Sequence, residues 1–132
     1  VIGIIVLLAG IGVGVGQAVR AKGRRDRTRM LIDRIATALR DYESMIGHWP
    51  DAIADDAAAT DYPQLATVLL GLEAVKPSEV GDDGGLQGVV LDAWGRYILV
   101  CKGGHNSPGL DIWSLGADPA DPADDVVNWG RE

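Results

Sequence analysis

Phenylalanine is absent from the 132 residues, aromatic residues make up only 5%, and cysteine occurs once, as Cys101. One cysteine excludes an intrachain disulfide framework and any CxxC metal site, and on its apolar stretch Cys101 reads as core rather than as a nucleophile. The two histidines, His48 and His105, lie far apart without HExxH or H-x₃₋₅-H spacing, which excludes a zinc site built on them. No P-loop is present, and Ser114 lacks a G-x-S-x-G elbow because Ile112 and Gly116 flank it unequally. With no nucleophile–base pair to nominate, no enzymatic activity is expected. The length suits one compact domain, and 47% hydrophobic against 23% charged residues excludes wholesale disorder. The net charge of −7 hides a split. Residues 1–40 carry eight Arg/Lys against two Asp (+6), whereas residues 41–132 carry four against seventeen acids (−13). The acidic part repels nucleic acid, so no nucleic-acid partner is expected.

Long apolar stretches are otherwise scarce, but Val1–Val19 holds no charge and one amide, Gln17. At about 1.5 Å per residue such a helix approaches a bilayer hydrocarbon thickness of about 30 Å. The run opens the chain without a small-residue cleavage site and is followed at once by Arg20, Lys22, Arg24, Arg25, Arg27 and Arg29. This reads as a single-pass anchor with a basic flank rather than a secretory signal. Gly10, Gly12, Gly14 and Gly16 fail the G-x-G-x-x-G fingerprint in every register, because Val15, Gln17 and Val19 occupy the third position. Two readings stand for them. Small-xxx-small pairs let helices approach closely in lipid, or four glycines, each costing about 1 kcal/mol of helix propensity, let the helix break at 10–16.

Beyond Lys22 the pattern is that of an amphipathic helix. Leu31, Ile35, Ala38, Tyr42 and Met45 recur at helical spacing, with Ile32, Leu39 and Ile46 at sevens. Leu31, Ile35, Leu39 and Tyr42 are the expected contacts with a globular head. Gly47 is placed to end the helix, and Pro50 forbids its continuation. Tyr62–Val75 predicts a second, shorter helix, and Pro77–Gly88 a loop. Strands are expected at Val89–Leu91, Tyr97–Cys101 and Leu110–Trp113, with turns at Asp92–Gly95 and Gly103–Gly109. Trp94, Trp113 and Trp129 read as packing residues, Trp129 folding back onto the head, and Trp49 as a cap on the long helix. Three segments result: an apolar helix at 1–19, its amphipathic continuation at 20–47, and an α+β head at 48–132.

Particular stretches carry a resemblance. An apolar helix running into an amphipathic one resembles the type IV filament superfamily of type IV pilins and pseudopilins. Gly47-His-Trp-Pro50, Leu91-Asp-Ala-Trp-Gly95, and Trp113-Ser-Leu-Gly-Ala-Asp118 continuing to Asp124-Asp-Val-Val-Asn-Trp129 resemble the major pseudopilins of type II secretion. Ala93 stands where that family has proline, and the family's opening Phe-Thr-Leu-Ile-Glu run is absent, so a short upstream segment is expected. The resemblance implies a pilin-like α+β fold: a long N-terminal helix, transmembrane and then amphipathic, packed on a head with a short helix and a three-stranded antiparallel sheet. It also implies a structural subunit of a helical pilus or pseudopilus, a homo-oligomer held in the inner membrane before assembly machinery polymerises it. The periplasmic or extracellular filament would be its destination. Ile4, Leu7, Leu8, Gly10, Gly12, Gly14 and Gly16 would then pack in the filament core. Open polymers follow physically when identical subunits make heterologous, non-closing contacts.

One cluster invites a ligand. Asp118, Asp121, Asp124 and Asp125 place four carboxylates in eight residues stiffened by two prolines, a donor set suited to Ca²⁺. An EF-hand is excluded, since Trp129 stands where its last glutamate is needed. The resemblance carries calcium binding to Asp118, Asp124 and Asp125 and a carbonyl near Leu115; the alternative is a solvated, metal-free loop. The basic Arg20–Arg29 segment has three readings: anionic lipid, DNA, or the acidic heads of neighbouring copies, the last being preferred. Positive-inside patterning would put this flank and its head in the cytoplasm, opposite to the resembled family, unless a basic leader reverses the balance. Two rival functions remain: an extracellular type IV pilin for adhesion or motility, and a monomeric membrane-anchored binding module.

Overall fold

The computed structural model describes residues 2–106 and 109–129, with the backbone alone over 2–18. Helix α1 spans Ile2–Ile46 as one element that continues through Gly10–Gly16. Among the described residues no helix is long and apolar enough to cross a membrane. The expected membrane segment Val1–Val19 and the filament-core positions Ile4, Leu7, Leu8, Gly10, Gly12, Gly14 and Gly16 lie outside the residues whose side chains are described, Val19 excepted.

Where side chains are described, α1 has one buried face. Thr28, Leu31, Ile32, Ile35 and Leu39 follow one another at helical spacing and are buried against the head. Complete burial of each large aliphatic among them contributes about 1.5–3 kcal/mol of transfer free energy. The stripe then runs off the head. Tyr42 is only half-buried, Met45 is 84% exposed and Ile46 54% exposed, so the outer part of the predicted stripe faces away from the core. Gly47 ends α1 with φ +97°, and its N–H reaches the Glu43 carbonyl at 2.8 Å. Pro50 is buried beyond it.

Helix α2, Tyr62–Gly71, starts where the Asp61 side chain accepts the Gln64 N–H, with Pro63 in its first turn. It stops short of the predicted Val75. Glu73 adopts a left-handed φ of 59°, and Ala74 and Val75 turn into the core instead of continuing the helix. Tyr62 packs on Tyr97, donates its hydroxyl hydrogen to the Ala57 carbonyl at 2.6 Å, and has its pKa pushed up to about 12, chiefly by burial. Arg34 of α1 reaches Glu79 at 2.6 Å and Ala74 O at 3.4 Å, tying the long helix to the chain beyond α2.

The sheet differs from expectation in its membership. Strands β1 (Val80–Asp83) and β2 (Leu86–Val90) form a separate antiparallel hairpin in which Val80 faces Val90. The second sheet is antiparallel with order β3 (Leu99–Lys102), β4 (Leu110–Ser114), β5 (Val126–Val127). The predicted strand Val89–Leu91 is therefore not its third member; the two-residue β5 is, pairing Ser114 with Val126. The predicted loop at Pro77–Gly88 contains β1 and the start of β2. Asp83-Gly84-Gly85 is the turn between them, Gly84 supplying φ +58°. Between the sheets Leu91 and Tyr97 make an isolated antiparallel bridge across the Asp92–Gly95 turn. Core side chains from α1, α2, both sheets and Ala52–Ile53 form one cluster.

The one-sided burial of α1 gives a paired expectation. Ile35→Ala should lower unfolding free energy by about 2–5 kcal/mol through lost burial and the cavity left behind, whereas Met45→Ala should change it by less than about 0.5 kcal/mol. Chemical denaturation followed by far-UV circular dichroism checks both; equal losses would contradict the assigned face.

Candidate functional site

Two of the three resembling motifs, Leu91–Gly95 and Trp113–Asp118, come together around the carboxylate of Asp92, which is buried, while Trp49 of the first lies with Asn106, Leu110 and Asn128 at the other end of β4. Its Oδ1 accepts the backbone N–H of Trp94 at 2.8 Å and of Arg96 at 3.0 Å, closing the turn that contains Gly95 at φ +81°. Its Oδ2 accepts the Ser114 hydroxyl at 2.6 Å, and Ser114 Oγ in turn accepts the Gly116 N–H at 3.1 Å. Thr28 Oγ1 on α1 accepts the Ala93 N–H at 3.1 Å. One anion thus spans the turn, the end of β4 and the loop after it, while Thr28 seats the turn on the helix. Charge-assisted bonds of this kind are the stronger class of hydrogen bond. The Ser114 hydroxyl is fully buried and engaged on both sides, so its role here is to bridge.

The acidic loop, 115–125, is held at its neck. Gly116 has φ +73°, and a Cβ at this position would collide with the Asp124 carbonyl. Arg96 donates to the Gly116 carbonyl at 2.7 Å. Arg25 of α1 donates to the Asp124 and Asp125 carbonyls at 3.3 and 3.4 Å. Two guanidinium groups therefore grip the carbonyls on both sides of the crossing. The tip is stiffened locally: Asp118 accepts the Ala120 N–H and Asp121 the Ala123 N–H, each at 3.0 Å.

The expected calcium ligands are brought together only in part. Asp118 is exposed and its carboxylate turns back on its own loop, whereas Asp124 and Asp125 lie half-buried at the neck. The Leu115 residue sits on the opposite limb beside Gly116. Among the described residues no group of three or more His, Cys, Asp or Glu side chains gathers closely enough to hold a metal. One atom nevertheless fits a cation. Asp125 Oδ1 is buried with no hydrogen-bond partner, the kind of orphaned acceptor that an added ion satisfies. Burial, followed by the negative charges of Asp121 and Asp124, pushes the Asp125 carboxyl above its ordinary range.

The other end of β4 carries a second clamp, built on the Asn128-Trp129 pair that ends the third resembling motif. Asn128 donates to Leu110 O and accepts from Ile112 N and Asn106 Nδ2, all near 3.0 Å or shorter. Trp129 stacks on His105, the ring centroids 4.3 Å apart, and meets Trp113 edge-on at 5.6 Å. The expected return of Trp129 to the head is thus present in detail. His105 also holds Asp111 through its backbone N–H at 2.7 Å and Nδ1 at 2.9 Å. Burial opposes ionisation of Asp111, but the bonds from His105 and Asn106 outweigh it and hold this carboxyl below the usual range. Cys101 is half-buried rather than deep in the core, and burial pushes its thiol up, aided by Asp111, Asp56 and Asp55.

Sequence reasoning missed Thr28, Arg25 and Arg96 as organisers of this region. Thr28 had a signal, since it precedes Leu31, Ile32 and Ile35 on the same face. The two arginines had none that distinguished them from their neighbours.

The two carboxyls have opposite pH signatures. Asp111 is lowered in the folded state, so its contribution is full above the unfolded carboxyl range and is lost as pH falls through the folded value. Asp125 is raised, so any contribution it makes is present below the unfolded value and lost as pH rises through the folded one. Asp111→Asn should therefore flatten the acid limb of the stability–pH curve. Asp125→Asn should raise stability near neutral pH in the presence of chelator. Thermal melts from pH 3 to pH 7 check both signs.

Comparison of the chain with protein-family models, with curated proteins and with solved structures returns no match.

Proposed function

We propose that the chain is a structural subunit of a helical filament, pilin-like and nearest in motif to the major pseudopilins of type II secretion. The observation that carries this reading is the disproportion between helix and head. A 45-residue α1 is about 68 Å long at 1.5 Å per residue, yet its described buried residues fall only between Thr28 and Leu39. A helix that overruns its own domain has surface to bury elsewhere, and bundled copies of the same helix supply it. The apolar sequence Val1–Val19 supports storage in the inner membrane before polymerisation, with the filament then periplasmic or extracellular. Met45, Ile46 and Leu72, exposed at one end of the head, support contact with a neighbouring subunit.

Calcium belongs to this reading as the ion of the acidic loop. Asp125, Asp124 and the Leu115 carbonyl would hold it at the neck, and Asp118 would join them only by releasing the Ala120 N–H and swinging in from the tip. The ion would supply positive charge to a buried carboxylate and lock the loop on the head. The orphaned Asp125 Oδ1 supports it.

A binding module anchored in the membrane is the second reading. It is favoured by a groove of about 650 Å³ between α1 and the end of α2, lined by Tyr42, Met45, Ile46 and Leu72 with Asp41 and Glu73 at its edges. In a filament that groove is covered by another copy; in a monomer it is left for a ligand.

Electron microscopy of sheared surface material and membrane fractions from cells expressing the chain separates these readings. Thin filaments labelled by an antibody to the head are expected, and finding only monomer would refute the polymer. For the ion, calcium should raise the melting temperature of the intact chain and leave Asp125→Asn unmoved. Identical melts with calcium and with chelator would remove calcium from the account.

A further inference from the structure

The apolar run gives way to the head at a cationic pocket. A groove of about 580 Å³ lies between the first described turns of α1 and the acidic-loop neck, lined by Arg20, Lys22, Arg24, Arg25, Trp94, Ala117 and Asp124. Arg20 and Arg24 stand four residues apart on one helix face, a like-charge pair that destabilises a helix unless something anionic lies between them. Among the described residues, no hydrogen bond or ion pair joins Arg20, Lys22 or Arg24 to a carboxylate, and all three are exposed. Arg25 is spent on the Asp124 and Asp125 carbonyls. Among the described residues Asp124 is the sole acid lining the groove, against the three uncommitted cations Arg20, Lys22 and Arg24.

We infer that this pocket binds the phosphate headgroup of an anionic membrane lipid. The inference rests on the membrane stage of the proposed function. A helix that is apolar through Val19 places Arg20–Arg25 at headgroup depth, where each basic residue attracts anionic lipid and a tryptophan such as Trp94 is at home. Guanidinium groups match phosphate oxygens geometrically, and two of them four residues apart straddle one headgroup. Such a lipid neutralises the repulsion within α1 and fixes the height of the head above the bilayer. Charge complementarity calls for an anion, and the depth and the aromatic wall favour a phospholipid over a soluble one.

The full chain in detergent micelles is titrated calorimetrically with soluble short-chain phosphatidylglycerol, short-chain phosphatidylcholine and inorganic phosphate. Saturable binding of the phosphatidylglycerol alone is expected. Arg20→Gln with Arg24→Gln should weaken it about 30-fold, while Arg29→Gln, outside the pocket, should weaken it far less. Equal binding of both lipids, phosphate binding as tight as the lipid, or an Arg29→Gln loss matching that of either pocket arginine would overturn the site. Flotation with neutral phosphatidylcholine vesicles tests the membrane stage separately. A chain that floats yet shows no phosphatidylglycerol saturation refutes the pocket alone. A chain that fails to float refutes the membrane stage and with it the lipid assignment, even if the anion binds.

Discussion

The buried carboxylate of Asp92 is the point on which the head turns. It takes two backbone N–H groups from its own turn and one hydroxyl from Ser114, and Ser114 passes the connection to Gly116. An anion placed away from water is costly unless such donors surround it, and once they do, each segment that supplies a donor is fixed relative to the others. The turn enclosed by the isolated Leu91–Tyr97 bridge, the last residue of β4 and the start of the acidic loop are fixed in this way. Thr28 joins the same assembly to α1 beside the buried Leu31, Ile32, Ile35 and Leu39, and Arg25 and Arg34 add polar ties to the head on either side of it.

Grip at these points leaves the ends of the helix to other partners. Toward its N-terminal side the described residues show cations, and toward Ile46 they show exposed apolar side chains. Under the filament reading, the first surface meets lipid and later the heads of neighbouring copies, and the second meets another subunit. An acidic head with a basic helix flank gives such copies an electrostatic reason to choose one register over its alternatives.

The long helix, the shorter α2, β4 and the turns at Asp92 and Gly47 were legible because periodicity and punctuation agree there. The β1–β2 hairpin was not, since the four glycines of 77–88 suggest loop while the signal lies in one Asp-Gly-Gly turn. The third sheet member was hidden for another reason: Val126–Val127 is too short for alternation to register, and its pairing with Trp113 and Ser114 spans the whole acidic loop. Asp118, Asp124 and Asp125 were visible as a cluster, but their division into an exposed tip and a half-buried neck depends on the Gly116–Asp124 crossing. No local pattern announces that crossing, nor does any tell Arg25 and Arg96 from the other arginines.

That crossing makes the loop a closed eyelet. Its two limbs touch at Gly116 and Asp124, arginines brace both, and residues 117–123 beyond it are all exposed. Chain added to the tip is thus mechanically isolated from β4 and β5, and the entropy of a longer loop grows only slowly with its length. The eyelet is a natural port for inserted sequence: an epitope, a short binding peptide or a fluorophore-labelling tag placed between Pro119 and Pro122 would be displayed at the surface while the strands beneath keep their register.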